Sequence, residues 1–309
     1  MTIGRKILLA AAKSEFLGRQ ATNRKFAKRA VRKFMPGEAP EDALNAGAVL
    51  SREGRGAVFT KLGENLTRLD EAEAVRDHYL GMFDRIRERG IPGHVSVKPT
   101  QLGLDLSREA CEGHLRKLAA KADATGSLLW IDMEDSSYVD RTLQLYEELR
   151  TDYACTGLAI QAYLKRTPND IARLMPLSPT IRLVKGAYAE PAHIAFAAKR
   201  DTDFAYFDLA VRMLESAAMG ECVAIFGTHD IPMLERLVGR AKEIGVADGK
   251  YEIHMLYGIR EADQRRLRSE GRVVKTLISY GSSWYKWYMR RLAERPANVW
   301  FVVRSLLPG

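Results

Sequence analysis

Cysteine is scarce in this chain: 309 residues hold three, Cys111, Cys155 and Cys222. Their odd number, wide spacing and lack of a Cys-x-x-Cys pair exclude a disulfide framework and a thiolate zinc site. All three are expected to be buried small residues. No apolar run approaches the roughly 18 residues of a membrane-spanning helix. The longest near the start, Ile7 to Ala12, is too short for a secretory signal core. A soluble globular protein of the cytoplasm is therefore expected. No Ser or Cys nucleophile elbow is present, and no Gly-x-Gly-x-x-Gly follows the first strand pattern. Histidines are few, and His78, His94, His114 and His193 stand without a partner at metal-ligand spacing, so no metal site is expected.

Acidic residues are nearly missing from residues 1–34, where ten lysines and arginines face only Glu15; the whole chain carries +9. Apolar residues there recur at helical spacing, including Ile7, Phe16, Phe26, Val31 and Phe34. This describes a basic amphipathic arm that lies either on the body of the protein or on an anionic membrane surface. Base-reading motifs and interleaved aromatics are lacking, which excludes nucleic acid as the leading partner.

What is present, beyond about residue 50, is an alternation of short β-rich runs with longer amphipathic stretches. Eight strands are expected, at Gly56–Leu62, His94–Pro99, Ser127–Met133, Thr156–Gln161, Thr180–Lys185, Cys222–Gly227, Tyr251–Met255 and Val273–Ser279. Eight strand-helix units in this length predict an α/β fold, a (β/α)8 barrel of TIM type. It would be preceded by the helical arm, residues 1–48, and would occupy 49–309, ending in a helix. Polar residues fall at the C-terminal ends of the strands, where barrel enzymes work: Glu64, Lys98, Asp132, Gln161, Arg182, Lys185, Thr228, His229 and His254.

These residue types permit a definite chemistry. Arg290 and Arg291, adjacent on the last helical pattern, suit a small carboxylate, because a guanidinium fork matches both oxygens and never loses its charge. Asp132 is an anion for an amine beside a carbon to be oxidised, with Lys98 expected to pair with it across the pocket. Arg182 could donate to an electron-accepting ring nitrogen and stabilise the charge that arrives with hydride. Lys185-Gly186-Ala187 offers a cation beside backbone that can approach a phosphate. Thr228 and His229 precede a helix start, a setting for pyrophosphate or ribose.

The residues that carry these readings also resemble, in order and spacing from about residue 50 to the C-terminus, the flavin-dependent proline dehydrogenases of the monofunctional bacterial type. The matching stretches are Lys98-Pro-Thr-Gln-Leu-Gly-Leu104, Ile131-Asp132-Met133-Glu134, Gln161-Ala-Tyr163, Arg182-Leu-Val-Lys185-Gly-Ala-Tyr188, Thr228-His229, His254-Met-Leu256-Tyr257-Gly258 and the Arg290-Arg291 helix. The resemblance implies a distorted (β/α)8 barrel that binds FAD without covalent attachment. It implies hydride transfer from the ring carbon beside nitrogen to flavin N5, giving Δ1-pyrroline-5-carboxylate, the first step of proline catabolism. Electrons would pass to a membrane quinone, which gives the basic arm a role at the inner face of the cytoplasmic membrane.

Carried across by the same resemblance, Arg290 and Arg291 hold the carboxylate, Lys98 and Asp132 line the pocket, and Leu256 packs on the substrate ring. Arg182 meets the flavin N5 region. Met133, Gln161, Lys185, Gly186, Ala187, Thr228 and His229 hold FAD, and Glu64 is the acidic gate that pairs with the first arginine. Two positions depart. The family usually has tyrosine thirteen residues before the first arginine, where this chain has Leu277, and commonly Gln where it has His254. The first departure predicts altered selectivity, toward hydroxyproline or another cyclic amino acid. Two rival readings keep the barrel: a Schiff-base aldolase using Lys98 or Lys185, and a non-catalytic binding module.

Overall fold

Eight strands, buried on both faces, pair edge to edge until the last meets the first. The structure is a computed structural model that describes residues 31–63 and 66–293, with only the backbone of Lys286 and of residues 290–293. Strands β1 Gly56–Lys61, β2 Gly93–Val97, β3 Leu129–Ile131, β4 Thr156–Gln161, β5 Thr180–Val184, β6 Val223–Gly227, β7 Tyr251–Leu256 and β8 Val273–Tyr280 form a closed parallel barrel in chain order. β1 and β8 close it, in register from Gly56 opposite Lys275 to Lys61 opposite Tyr280. The expected (β/α)8 barrel is thus the observed one.

Helices α1 Pro40–Arg52, α2 Leu69–Glu88, α3 Arg108–Ala124, α4 Val139–Asp152, α5 Thr167–Leu174, α6 Lys199–Ala218, α7 Ile231–Glu243, α8 Glu261–Ser269 and α9 Trp284–Ala293 are described around the barrel. Local chemistry sets where several begin. The Ser107 hydroxyl accepts from Ala110 N at the head of α3, and the Asp230 carboxylate accepts from Met233 N at the head of α7, satisfying donors that have no partner within the helix.

Some bounds differ from those expected. β3 pairs only over Leu129–Ile131, not Ser127–Met133, although Asp132 N still donates to Val97 O at 2.8 Å. One helix, α5, was not expected; α1 starts inside the expected helical arm, runs past its expected end at residue 48, and buries Ala43, Leu44, Gly47 and Leu50. Cys111 and Cys222 are buried as expected, but Cys155 is only half-buried, at the turn that leads into β4.

Alternation along each strand produces two cores. The outer one, between strands and helices, contains Phe59, Val95, Ile131, Leu158, Ile181 and Phe226. The inner one is small: Val58, Trp130 and Ile225, with Leu128 and Leu277 packed against it. Branched apolar side chains usually fill such an interior in layers. Here His94, Ser96, Arg182, Glu252, His254 and Lys275 alternate with the outward-facing residues instead, around the ring of Trp130. A bare backbone makes room for that ring, since a Cβ at Gly157 on β4 would stand 2.7 Å from it.

The end of the basic arm packs on its own domain. Val31 and Met35 are buried with Leu62, Trp284 and Tyr288 of α9, and a Cβ on Gly258 would stand 1.6 Å from the carbonyl oxygen of Lys33. The rest of the arm, residues 1–30, lies outside the described residues. Among those described, no helix is long and apolar enough to cross a membrane.

Gly157→Val is expected to overpack the interior against Trp130 and to lower stability by about 1–3 kcal/mol. The check is the urea midpoint, which should fall at an unchanged slope. An unshifted midpoint would show that the ring can move aside freely.

Candidate active site

The C-terminal ends of the strands carry three groups of polar side chains. In the first, Arg182 of β5, 5% exposed, forms an ion pair with Asp132 at the end of β3. Its Nη2 also donates to Ser96 Oγ at 3.1 Å, and Ser96 Oγ in turn donates to Asp132 Oδ1 at 3.0 Å. Burial pulls the guanidinium below its usual pKa and Asp132 pushes it back up; it stays charged, as a protein arginine does. Two atoms of the pair are left over. Arg182 Nη1 is buried without a hydrogen-bond partner. Asp132 receives both of its bonds on Oδ1, so among the described residues Oδ2 takes none. An unpaired buried donor costs roughly 1–3 kcal/mol, and here it is one that a ligand at the C-terminal end of the barrel could satisfy.

Lys98 does not join this pair. It is half-buried at the end of β2, and among the described residues it makes no ion pair with Asp132, whose partner is Arg182. The expected Lys98–Asp132 bridge is thus replaced by one across β3 and β5. Leu256 and Leu277 are register partners on β7 and β8, both half-buried, and Leu277 packs against the Trp130 cluster.

The second group surrounds Lys185, whose Nζ donates at 2.6 Å to both Asp203 of α6 and Asp230 at the head of α7. Those amine bonds hold both carboxyls below their ordinary pKa against the opposing effect of burial, which is the largest single influence on each. Asp230 N donates to Thr228 Oγ1 at 3.2 Å, so Thr228 is tied to the same loop. His229 Nε2 accepts from Leu256 N at 2.8 Å, joining the ends of β6 and β7. The third group lies at β4. Gln161 Nε2 donates to the Glu134 carbonyl at 2.7 Å, and the Glu134 carboxylate accepts from Thr100 N and Oγ1. Met133 is buried beside it. Gly186 has φ +115° and lies against the Tyr163 ring, where a Cβ would clash at 2.2 Å; Ala187 is exposed. Arg290 and Arg291 stand on α9, their side chains outside the described residues, as does Glu64.

A family model described as Proline dehydrogenase matches residues 43–304. The chain belongs to the proline dehydrogenase family. With that family comes the oxidoreductase class. Similar members include proline dehydrogenase 1 of Bacillus subtilis subsp. natto, 36% identical over 297 residues that cover 94% of this chain and 97% of the relative. The proline dehydrogenase of Deinococcus radiodurans is 34% identical over 286 residues, 90% of each chain. Among solved structures, proline utilization A from Bdellovibrio bacteriovorus, inactivated by N-propargylglycine, superposes with a TM-score of 0.80 at 22% identity. That match covers 94% of this chain but 35% of the longer protein, and it bears on fold alone.

In this family member, the interior beneath the Asp132–Arg182 pair is also polar. Trp130 Nε1 donates to His94 Nδ1 at 3.2 Å. His254 Nε2 bonds Glu252 Oε2 at 3.0 Å, and Lys275 Nζ donates to both Glu252 oxygens at 2.7 and 2.8 Å. A carboxylate only accepts, so Nε2 of His254 carries the proton. Expected as a strand-end residue, His254 is instead fully enclosed in mid-strand. Ser96, Trp130, Glu252, Lys275, Asp203 and Asp230 were not singled out from sequence. Alternation held the signal for the first four, since polar positions two apart, such as Glu252 and His254, mark an inward face between Tyr251, Ile253 and Met255.

Burial pushes His94 down to about 3 and also lowers His254, where Glu252 opposes the shift while Arg182 and Lys275 add to it. Both are neutral when folded and titrate near 6.5 when unfolded. The stability this gives is complete above about 6.5 and is lost as pH falls toward the folded values, at about 1.4 kcal/mol per unit and site. His254→Gln, which keeps a donor for Glu252, should therefore show a shallower fall in Tm between pH 7 and 5 than the parent. Parallel Tm curves would mean that His254 titrates normally in the folded protein.

Proposed function

We propose that this chain oxidises L-proline, or a close cyclic analogue such as hydroxyproline, to the corresponding Δ1-pyrroline, two electrons and two protons leaving the C–N bond. The observation that carries this reading is the Asp132–Arg182 pair, in which Arg182 Nη1 and Asp132 Oδ2 have no partner among the described residues, in a chain of this family. Asp132 Oδ2 suits a substrate nitrogen, and Arg182 Nη1 suits an acceptor atom on a ring that gains negative charge.

FAD fits these residues and, when bound, accepts the hydride. Arg182, Met133, Gln161, Lys185, Gly186, Ala187, Thr228 and His229 are assigned to hold it. Of these, Gln161, Lys185, Thr228 and His229 already have protein partners, so their part is to fix loop shape as much as to donate directly. Gly186 takes a positive φ and lets the Tyr163 ring pack against the loop, which fixes the shape of the Lys185–Ala187 backbone. Arg290 and Arg291 are assigned to the substrate carboxylate, Glu64 to the gate, and Lys98, Leu256 and Leu277 to the pocket wall. The half-burial of both leucines, side by side on β7 and β8, agrees with a ring seated between them.

Lys185 argues against a Schiff-base enzyme, because two carboxylates commit its nitrogen as a donor and leave it poorly placed to attack a carbonyl. A membrane quinone is the proposed electron acceptor, reached from the cytoplasmic side with the help of residues 1–30. The described end of the arm is packed on α9, which would tether such a contact to the barrel.

The test is the visible spectrum of the purified protein, followed by anaerobic titration with L-proline and trans-4-hydroxy-L-proline. A yellow protein bleached by either amino acid is expected; a colourless one that cannot take up FAD would end the proposal. Arg182→Ala should slow reduction by about 10²–10³ while substrate Kd changes little, measured by stopped flow, and an unchanged rate would remove its role.

Leu277→Tyr restores a hydroxyl worth about 1 kcal/mol and fills space beside the ring. The kcat/KM ratio of proline over 4-hydroxyproline should rise about fivefold, and an unaltered ratio would take Leu277 out of substrate selection.

A further inference from the structure

The buried guanidinium of Arg182 rests on an aromatic floor. Its central carbon stands 4.6 Å from the centroid of the Trp130 ring, and Trp130 is fully buried. Indole is the best aromatic partner for a cation, and the attraction grows when water is excluded. The ring itself has little freedom. Its Nε1 is held by His94 at 3.2 Å, and its edge meets His254 with 5.4 Å between centroids and 75° between planes. His254 is in turn anchored by Glu252, and Glu252 by Lys275. From the remaining side, the backbone of Gly157 admits the ring where any side chain would press on it. An ion pair and two imidazoles are a costly way to fill a barrel interior that branched aliphatic side chains would fill more cheaply. They confine the orientation of one indole.

We infer that Trp130 is a positioning residue for Arg182. The ring sets the height and tilt at which the guanidinium presents Nη1, while Asp132 and Ser96 hold only its opposite edge through Nη2. Without the platform, the guanidinium turns toward the carboxylate and Nη1 is withdrawn. His94 and His254 act through the ring: neutral, they lock it without placing a second cation beside Arg182. This inference rests on the reading of Arg182 as donor to the electron-accepting ring.

The experiment uses the FAD-loaded enzyme and four variants, Trp130→Phe, Trp130→Leu, Arg182→Ala and the double variant Trp130→Phe/Arg182→Ala. Trp130→Phe keeps a ring but loses the His94 bond, and it remains informative if Trp130→Leu does not fold. The midpoint potential of the bound flavin, the rate constant of its reduction and the substrate Kd are measured separately. Both Trp130 variants should shift the potential to more negative values and slow reduction by about tenfold with a Kd changed less than about threefold, whereas in the Arg182→Ala background Trp130→Phe should add nothing. A potential unmoved by Trp130→Phe, while Arg182→Ala shifts it, would overturn the inference and leave Trp130 as core filling. A potential unmoved by Arg182→Ala would instead remove the reading of Arg182, and this inference with it.

Discussion

A guanidinium enclosed by eight strands cannot discard its charge, and much of the interior is arranged to keep Arg182 there. Removing a cation from water costs several kcal/mol unless an anion, hydrogen bonds or an aromatic face replace the lost hydration. Arg182 has all three, in Asp132, Ser96 and Trp130. Each replacement brings its own demand. Asp132 needs the serine, Trp130 needs an acceptor for its N–H and a gap at Gly157, and His254 needs a carboxylate that itself needs a lysine. One fixed charge thus propagates polarity through five strands, and among the described residues Arg182 Nη1 is left without a partner.

The same logic separates the two halves of the proposed site. Around Lys185 the charges are balanced two carboxylates to one amine, with Lys199 adding a second cation at the surface. That group joins α6, α7 and the loop after β5, and acts as a brace for the loops that would enclose a cofactor. Around Arg182 the balance is one to one, and each partner keeps an atom in reserve. The first group gives the loops their shape; the second keeps its chemistry available.

Much of this was legible in the chain. The strand count and order followed from alternation and length, and the strand-end positions of Asp132, Lys185, Thr228 and His229 from where each β-rich run stops, whereas Arg182, expected at a strand end, stands in the middle of β5. What was not legible is pairing. Whether Asp132 meets Lys98 from β2 or Arg182 from β5 depends on the stagger and tilt of the strands, which no local pattern encodes. His254 sat in a correctly placed strand, but its depth depended on a β7 one residue longer than expected. α5 escaped notice because its eight residues, with Pro168 inside and Pro176 just beyond, read as loop. Of the residues assigned to substrate, Arg290, Arg291 and Glu64 have side chains outside the described residues, so only their place in the chain is known.

Closure of the ring has an implication for how the protein is made. β1 finds its outer partner only in β8, more than two hundred residues later, along six paired positions. During synthesis on the ribosome, β1 and β7 each present an unpaired edge until residue 280 has emerged, and the charged interior stays open to water for the same time. Arg182 and Glu252 are therefore solvated while the chain is incomplete and desolvated in one late step. A nascent chain that stalls within the last strand would be a sticky seven-stranded open sheet with hydrated charges along its inner face.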